Sequence, residues 1–449
     1  MQVAKHKGLL YTLISIAIMA VGTVVAINYA KGGYRITNDG FRQNTGLLSA
    51  NSLPTGAQVF INDKLVTATD DTLYLEPGNY SVKIVKDGYS TWQKNLDLEA
   101  ELVTQTNARL FPSAPSITPL TFTGAENLLP SPDGQKILYF TASSSASKKN
   151  GLYVLDLAEN TLSLQKGPRQ IAENTNRIDL SLAQYIWSPD SSQLILIDEN
   201  HQLLLDINKL NDLDATPDIS FRSKQILNEW EQEMLLREIQ FLSKFPEEIV
   251  AIATQSAQNV YFSPDKKRLL YTATASAEIS EGLLPPLPAT STQPQERSIQ
   301  PGGIYVYDRE EDKNFRIGTA IDQETKLVKN LLSLEPLSEV MSATAGAATS
   351  GALRSLQTDS LPQTAFNFMA YHSAIYADTY QWHPDSKHII FTSENQIKVI
   401  EYDGSNTNTI YSGPFFEQFV YPWPTGSRLL VLTGFSPDVP LNLYAIELE

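Results

Sequence analysis

Cysteine is absent from the 449 residues, and histidine occurs only five times. A chain without cysteine has no disulfide, no thiol nucleophile, no iron–sulfur cluster and no cysteine-ligated zinc. The histidines form no HExxH motif, no glycine-rich phosphate loop follows a strand, and no GxSxG sequence occurs. The sequence therefore predicts no cofactor, no metal site and no catalytic residue, and it favours a protein that is not an enzyme.

Positive charge is also scarce. The chain has 34 lysines and arginines against 50 aspartates and glutamates, which gives a formal net charge of −16. Proteins that bind nucleic acid need clustered basic side chains to neutralise phosphates. We therefore expect no nucleic-acid partner.

One long stretch lacks charge altogether. No charged residue lies between Lys7 and Lys31, and about 20 mostly apolar residues in a helix span roughly the 30 Å hydrocarbon layer of a membrane. A cleaved signal peptide is the alternative, but its apolar core is shorter and ends at a small-x-small site, which Asn28 and Ala30 do not provide. Residues 1–35 are thus predicted to be a cytoplasmic tail and a transmembrane anchor that enters the cytoplasmic membrane through residues 8–30.

The orientation of this anchor rests on a small charge difference. Lys5 and Lys7 precede the apolar segment and Lys31 and Arg35 follow it, so only the N-terminal amine favours a cytoplasmic N-terminus. On this basis we expect a single-pass membrane protein whose bulk is extracytoplasmic.

Residues 46–112 alternate apolar and polar side chains in short runs broken by turn formers. Val59 and Ile61 share one face of a predicted strand, and Val82 and Ile84 share one face of another. Such runs are typical of a small antiparallel β-sandwich. Tyr80, Tyr89 and Trp92 fit either its core or a ligand-binding aromatic patch, and the core is the commoner role.

Two turns in this region carry a signature. The sequence PTGA is followed by VFINDK and then by LEPGNYSVKIVKDGY. This combination resembles the PEGA domain family, with Thr55 where the family name has Glu. The resemblance implies an immunoglobulin-like sandwich of the cell envelope and no catalytic residues. The residues that carry it are structural, since proline presets a turn and glycine permits a left-handed backbone; they are Pro54, Gly56, Ala57, Pro77 and Gly78.

A second pattern recurs later in the chain. An apolar strand leads into Ser/His-Pro-Asp, a polar tip and another apolar strand, as in PSPDGQKILYF, WSPDSSQLILID, FSPDKKRLLYT and WHPDSKHIIFT, and more weakly in WPTGSRLLVLT. Proline fixes φ, and aspartate can accept hydrogen bonds from amides two residues on, so each phrase predicts a tight hairpin turn. The turn residues are Pro132, Asp133, Pro189, Asp190, Pro264, Asp265, Pro384 and Asp385.

A third apolar strand follows each hairpin, and such units repeated around an axis make a β-propeller. The phrases resemble the SPD-type, WD-like repeats of the Tol-Pal propeller protein family over residues 116–449. Five blades are visible, and a sixth has room between 319 and 378. We also expect 116–122 to pair with 441–448 and close the ring.

Three insertions interrupt the repeats. Helical spacing of apolar residues predicts helices within 222–257, with Pro246 starting the second, and either propeller packing or partner docking fits them. Segments 276–302 and 333–365 are rich in small residues or proline and are predicted to be flexible loops.

Together these features predict a mainly β protein with a transmembrane helix, a small immunoglobulin-like β-sandwich and a five- or six-bladed β-propeller with a helical insertion. The function that fits best is a membrane-anchored extracytoplasmic scaffold of the cell envelope, whose propeller binds a protein or glycan partner. A propeller enzyme, a hydrolase or lyase on saccharides or peptides with its site in the channel, is the alternative. A sensor-like accessory subunit is a third possibility.

Overall fold

The computed structural model describes most of the chain. The described residues are 3–30, 34–37, 40–43, 45–142, 144–158, 167–285, 287, 291–320, 380–417, 419–434 and 440–449, and of residues before 45 side chains are described only for 11–27. They divide into two compact units, of which the first comprises Met1–Ser113 with Pro286–Pro294 and the second comprises Ala114–Pro285 with Gln295–Glu449.

The first unit begins with a helix and continues in short strands. Their bounds are α1 (Val3–Ala30), β1 (Tyr34–Thr37), β2 (Gly40–Gln43), β3 (Gly46–Ala50), β4 (Ser52–Leu53), β5 (Gln58–Ile61), β6 (Lys64–Ala68), β7 (Asp71–Leu75), β8 (Gly78–Val85), β9 (Trp92–Leu98), β10 (Val103–Gln105) and β11 (Ala108–Arg109). In the part of the chain that was searched, no helix combines the length and the apolarity needed to cross a membrane. The predicted transmembrane helix is therefore not supported.

Two sheets of the first unit enclose one core. They have the orders β6–β5–β8–β9 and β10–β3–β7, and the core includes the buried side chains of Leu48, Val59 and Ile84. The prediction of a wholly antiparallel sandwich is wrong in one respect, because β10 runs parallel to β3 and β11 runs parallel to β4. Alternation of apolar residues identifies strands but carries no information on their direction.

The second unit consists of strands with one helical insertion. Its elements are β12 (Ile117–Pro119), β13 (Glu126–Pro130), β14 (Lys136–Thr141), β15 (Gly151–Asp156), β16 (Arg169–Glu173), β17 (Gln184–Trp187), β18 (Gln193–Ile197), β19 (Gln202–Asp206), α2 (Ser223–Leu242), α3 (Glu247–Gln255), β20 (Ala257–Phe262), β21 (Arg268–Ala273), β22 (Ala277–Glu278), β23 (Ser298–Ile299), β24 (Gly303–Asp308), β25 (Lys313–Thr319), β26 (Gln381–Trp382), β27 (His388–Ser393), β28 (Gln396–Glu401), β29 (Asn408–Tyr411), β30 (Val420–Pro422), β31 (Arg428–Thr433) and β32 (Asn442–Glu447), with a 3-10 turn at Ser147–Lys149.

These strands form five antiparallel sheets, which we number in chain order. Sheet 1 is β13–β14–β15–β16, sheet 2 is β17–β18–β19, sheet 3 is β20–β21–β24–β25, sheet 4 is β26–β27–β28–β29 and sheet 5 is β12–β32–β31–β30. The short pair β22–β23 lies within the segment predicted to be a flexible loop. The other predicted loop, 333–365, and the room for a sixth blade lie outside the described residues.

Each sheet packs its apolar faces on neighbouring sheets. Leu138 and Phe140 of β14 pack on sheet 2, whereas Ile137 and Tyr139 of the same strand pack on sheet 5. Leu270 of β21 similarly packs on sheet 4. Because side chains alternate between the two faces of a strand, a central strand buried on both faces reads as a continuous apolar run. This accounts for runs such as KILYF and RLLYT.

The contacts between successive sheets form a closed series. Sheet 1 packs on sheet 2 and on sheet 5, sheet 3 packs on sheet 4, and turns of sheets 4 and 5 are hydrogen bonded. Between sheets 2 and 3 lies α2, whose Met234 packs on sheet 2 and whose Leu242 packs on sheet 3. We call this closed series of sheets the ring.

The first strand of the second unit completes the last sheet. In β12, Ile117 pairs with Ile446 and Pro119 pairs with Tyr444. This is the closure predicted for 116–122 and 441–448. The buried Asn442 reinforces the pairing, since its Oδ1 accepts hydrogen bonds from the N–H of Gly124 and the hydroxyl of Thr121.

Deletion of residues 113–123 should therefore weaken the whole ring. Loss of β12 exposes the edge of β32, and we expect the melting temperature of the second unit to fall by about 5 °C or more, with a broader transition. Phe122→Ala is the matched control, because this side chain within the deleted segment is 77% exposed. An unchanged calorimetric transition after the deletion would contradict a role for β12 in closure.

Candidate functional site

The signature residues of the first unit make turns. Gly56 has a φ of 72°, which a side chain would strain, and its N–H donates to the carbonyl of Thr69. Ala57 is fully buried beside it, where the Thr69 hydroxyl accepts a hydrogen bond from its N–H. Pro54 precedes this bend, and Pro77 with Gly78 makes the short connection from β7 to β8. These residues shape the backbone and present no ligand site.

The aromatic residues of the first unit belong to its core. Trp92 is 2% exposed, and Tyr80 and Tyr89 pack against the same apolar cluster. The Tyr80 hydroxyl donates to the carbonyl of Glu76. The aromatic side chains therefore stabilise the unit, and the alternative of a ligand-binding patch made of all three is not supported.

Five turns of the ring share one backbone conformation. Each joins two consecutive antiparallel strands of its sheet; its fourth residue has a φ between 57° and 76° and donates its N–H to the carbonyl of the first residue. We name them turns 1 to 5, comprising 131–134, 188–191, 263–266, 383–386 and 423–426, with Gly134, Ser191, Lys266, Ser386 and Gly426 at the fourth position.

The third residue of turns 1 to 4 is an aspartate that caps its own turn. In each, the carboxylate accepts a hydrogen bond from the N–H two residues on, at 2.9–3.1 Å, as the sequence predicted. The hydroxyl of Ser188 lowers the pKa of Asp190. Burial favours a higher pKa for Asp133, but hydrogen bonds from Ser131 and Gln135 outweigh it and lower the pKa. These carboxylates are committed to backbone structure; the four are Asp133, Asp190, Asp265 and Asp385.

Adjacent turns are bonded to each other. The N–H of Asp133 in turn 1 donates to the Ser191 hydroxyl of turn 2 at 3.1 Å, and the N–H of Asp265 in turn 3 donates to the Ser386 hydroxyl of turn 4 at 3.0 Å. The prolines at the second position, Pro132, Pro189, Pro264 and Pro384, hold the turns in shape. Each serine at the fourth position therefore forms a hydrogen-bonded joint between two sheets. The spacing of the turn phrases in the sequence did not predict this joint.

The aromatic residues that precede the turns also lie between sheets. Trp187 is fully buried, and its Nε1 donates to the carbonyl of Leu129 at 3.2 Å. Trp382 makes the equivalent bond to the carbonyl of Tyr261 at 3.3 Å. Phe262 instead contacts Phe241 and Phe245 of the helical insertion. All three are packing residues.

Helix α2 fills the junction between turns 2 and 3. Arg237 donates to the carbonyl of Pro189 at 3.4 Å, and Nζ of Lys266 lies 5.0 Å from the ring centre of Phe241. Burial raises the pKa of Glu238 and lowers the pKa of Lys266. Groups with shifted pKa values are candidates for chemistry, so this junction is where an enzymatic function would be sought.

A buried ion pair lies within sheet 3, and its arginine also contacts sheet 4. Nε of Arg268 lies 2.7 Å from Oδ2 of Asp308, whose side chain is fully buried. The same guanidinium donates to the carbonyl of Ser386 at 3.0 Å and lies 4.0 Å from the ring centre of Tyr402. Arg268 therefore links sheet 3 to sheet 4, and removal of its cross-strand partner Asp308 would leave a buried charge.

Turn 4 departs from the others because histidine replaces serine at its first position. Nδ1 of His383 lies 3.1 Å from Oδ1 of Asp385, and Nδ1 of His388 lies 2.7 Å from Oδ2 of the same carboxylate. Burial favours a higher pKa for Asp385, but the two imidazoles outweigh it and hold the pKa well below its ordinary range. Across the described residues, no group of three or more histidine and acidic side chains could hold a metal ion.

The opposite ends of the sheets carry exposed apolar side chains. Turns 1 to 5 lie at one face of the ring, so the ends of the sheets away from the turns define the other, which we call the loop face. Phe122 lies shortly before Ala125, whose N–H donates to the carbonyl of Leu441, and the N–H of Phe416 donates to the carbonyl of Leu432 near the end of β31. The exposed fractions are 77% for Phe122, 42% for Leu441 and 44% for Phe416.

Sheet 2 contributes to the loop face as well. Leu182, two residues before β17, is 80% exposed. Phe221 is 86% exposed and follows Ile219, whose N–H donates to the carbonyl of Gln202 at the start of β19. Exposed aromatic and aliphatic side chains gathered on one face are typical of protein-binding surfaces.

Comparison with known proteins supports the resemblance of the first unit to a known domain family. Residues 45–114 match the family model described as PEGA domain, which confirms the resemblance of 46–112. No curated protein matches the chain in sequence.

Solved structures with some likeness to the whole chain include two TolB proteins and a lyase. TolB of Agrobacterium tumefaciens is 14% identical, with 72% of this chain and 78% of that chain covered and a TM-score of 0.21. TolB of Acinetobacter baumannii is 11% identical, with 82% and 60% covered and a TM-score of 0.20. Oligogalacturonate lyase of Vibrio parahaemolyticus is 10% identical, with 90% and 89% covered and a TM-score of 0.19. TM-scores this low carry no argument about function.

The joint between turns 1 and 2 can be tested with two adjacent serines. Ser191→Ala removes the acceptor of the Asp133 N–H from a buried site, and we expect a loss of about 1–2 kcal/mol in the free energy of unfolding of the second unit. Ser192→Ala removes only local bonds to Asp190, and its effect should stay within about 0.5 kcal/mol. Equal effects in denaturant titrations would show that the joint contributes nothing.

Proposed function

We propose that this protein is an extracytoplasmic binding or scaffold protein of the cell envelope, and that its ring is a β-propeller that binds a protein partner through the loop face. The observation that carries the proposal is the exposure of Phe122, Phe221 and Phe416 on that face. The PEGA match at 45–114 supports a place in the envelope, where the predicted family is common. Attachment to the cytoplasmic membrane through residues 8–30 stays a prediction.

The chemistry of the loop face favours a protein over a glycan. Glycans are held by hydrogen bonds and by flat aromatic faces with polar edges, whereas the exposed residues here are phenylalanine and leucine. Four of the five tryptophans, which would suit a sugar, are buried, with exposures of 2% for Trp92, 0% for Trp187, 8% for Trp382 and 7% for Trp423. The fifth, Trp230 of α2, is partly buried and packs against the apolar cluster that includes Met234. The net charge of −16 further favours a partner with a neutral or basic surface.

The enzyme alternative has less support. The aspartates of turns 1 to 4 look like a carboxylate ring in sequence, but their oxygens accept backbone hydrogen bonds. Glu238 and Lys266 are the described pair with opposed pKa shifts, and both pack against α2 and turn 3. Because groups with opposed pKa shifts are candidates for acid–base chemistry, Glu238→Gln is the variant that tests this alternative.

Variants of the loop face should lose binding without loss of stability. Immobilised residues 36–449 are exposed to solubilised envelope proteins and to cell-wall glycans. We expect saturable capture of a protein, and at least a tenfold weaker affinity for the double variant Phe122→Ser with Phe221→Ser, because exposed aromatic anchors carry much of the binding free energy. Melting temperatures should match the unmodified chain.

The matched control is Leu65→Ser in the first unit, an apolar side chain that is likewise exposed, at 53%, and this variant should bind normally. If the double Phe variant captures the protein as tightly as the unmodified chain, the loop face is not the binding surface. Retention of a glycan alone would contradict a protein partner. Chemical change of a wall component that Glu238→Gln abolishes would establish the enzyme alternative.

Localisation can be tested because the natural chain has no cysteine. Thr407 is exposed, unlike the nearby Ser405, whose hydroxyl donates to Asp403. In intact cells a Thr407→Cys variant should react with a membrane-impermeant maleimide, because the ring is outside the cytoplasmic membrane. Ala445→Cys, at a fully buried position, is the control that should react only after denaturation. Labelling of Thr407→Cys only after lysis would refute the extracytoplasmic location.

A further inference from the structure

Turn 3 carries a lysine where the other turns carry glycine or serine. Lys266 occupies the fourth position with a φ of 61°, in the left-handed region that favours glycine. Ser191 and Ser386, at the same position, each accept a hydrogen bond from the preceding turn. The element that precedes turn 3 in the ring is α2, and Nζ of Lys266 lies 5.0 Å from the ring centre of Phe241 on that helix. A long cationic side chain is thus placed in the junction between sheets 2 and 3.

Two further cations lie on the same aromatic side chains. Nζ of Lys244, just beyond the end of α2, lies 5.4 Å from the ring centre of Phe241. The guanidinium carbon of Arg309 lies 5.7 Å from the ring centre of Phe245. Both rings pack against Phe262, with centres 6.0 and 5.8 Å from its own. The three cations therefore lie on one apolar surface, and we call them the cation cluster: Lys244, Lys266 and Arg309.

The cation cluster is not paired with the chain's own carboxylates, although the protein has 50 acidic side chains. Neighbouring basic side chains do have such partners, since Arg237 pairs with Glu233 and Lys267 pairs with Glu310. In the part of the chain that the structure describes, no carboxylate lies at ion-pair distance from the cation cluster, and the buried Nε of Arg309 has no hydrogen-bond partner. The cluster therefore has charge and hydrogen-bond donors left for an anion.

Lys266 is partly desolvated, which strengthens its attraction for an anion. Burial lowers the pKa of its ammonium group, and Glu238 and Asp265 oppose this shift from beyond ion-pair distance. Asp265 is bonded within turn 3, and burial raises the pKa of Glu238, so neither carboxylate is a full counter-ion. An anion that reaches a cation on an apolar surface is bound more strongly than in bulk water, because the local dielectric constant is lower.

A phosphate group matches the cation cluster better than a carboxylate does. A phosphate carries about two negative charges and several acceptor oxygens, so it is able to bond two ammonium groups and a guanidinium together. Arginine forms bidentate bonds to phosphate, and lysine acts as a compact point charge. A single carboxylate has one charge and two oxygens, and the abundant carboxylates of this chain leave the cluster unoccupied.

We propose that Lys244, Lys266 and Arg309 form a phosphate-binding site at the face of the ring that carries turns 1 to 5. The ligand is a phosphate group, either of a soluble phosphate compound or of a phospholipid headgroup, and Phe241 forms the apolar floor beneath it. The site lies on the face opposite the loop face. This inference is therefore independent of the proposed function.

Phosphorus-31 NMR of inorganic phosphate mixed with the full chain tests the site. At low ionic strength and about pH 7, we expect saturable broadening of the phosphate resonance. Lys266→Ser gives turn 3 the residue that turns 2 and 4 carry in the same backbone conformation, so the fold should be kept. We expect this variant to bind phosphate about tenfold more weakly, because a hydrogen bond between charged groups contributes about that factor.

Two further variants complete this test. Lys244→Gln removes an exposed cation of the cluster outside turn 3 and should also weaken phosphate binding. Lys149→Ser removes the same charge from an exposed position at the end of sheet 1 away from turn 1, and it should bind phosphate like the unmodified chain. The proposal is overturned if the unmodified chain leaves the resonance unbroadened, if Lys149→Ser weakens binding equally, or if acetate at the same ionic strength displaces phosphate as well as phosphate itself does.

Phospholipid vesicles distinguish the two sources of the phosphate group. Vesicles of phosphatidylcholine and phosphatidylglycerol are sedimented with the unmodified chain and with Lys266→Ser. Weaker sedimentation of the variant, together with displacement of the unmodified chain by inorganic phosphate, assigns the site to lipid headgroups. Equal sedimentation of the two chains, with the phosphorus-31 result intact, assigns it to a soluble phosphate compound.

Discussion

The ring depends on the burial of both faces of its central strands. In β14, Leu138 and Phe140 pack on sheet 2, whereas Ile137 and Tyr139 pack on sheet 5. Both faces of sheet 1 are therefore buried at this strand. A full apolar side chain moved into water costs about 1.5–3 kcal/mol, and each central strand has several. An isolated sheet of this composition would therefore be unstable, and each sheet is stabilised by the two elements that cover it. The pairing of β12 with the edge of β32 completes the last sheet, and sheet 1 covers one of its faces.

Much of this arrangement was predictable because it is local. The turn phrase fixes a hairpin within about a dozen residues, and the capping role of Asp133 and Asp190 depends only on the amides that follow them. The pairing of β12 with β32 followed from the incomplete repeats at both ends of the second unit. Pro246 likewise preceded α3, as a residue without an N–H suits a helix start.

What could not be predicted depends on residues far apart in sequence. Arg268 and Asp308 face each other because β21 pairs with β24, and the sequence does not show that Arg268 also bonds turn 4 of the next sheet. Ser191 accepts a hydrogen bond from another sheet, and nothing in the sequence of its own hairpin indicates this role. The parallel pairing of β10 with β3 was missed because side-chain alternation is the same for both strand directions. The exposure of Phe122 and Phe221 likewise depends on which elements pack near them in the fold, and their local sequence does not show this.

The joints between successive sheets differ in chemistry. Serine hydroxyls serve at turns 2 and 4, an imidazole bonds Gly426, and α2 stands between turns 2 and 3. Hairpins of nearly identical sequence risk docking in the wrong order while a repeat protein folds. The joints of turns 1 and 2 and of turns 3 and 4 share one serine bond, but a misplaced sheet would still leave the histidine, Arg268 or α2 without its partner. The differences between the joints therefore favour one order of the sheets in the ring.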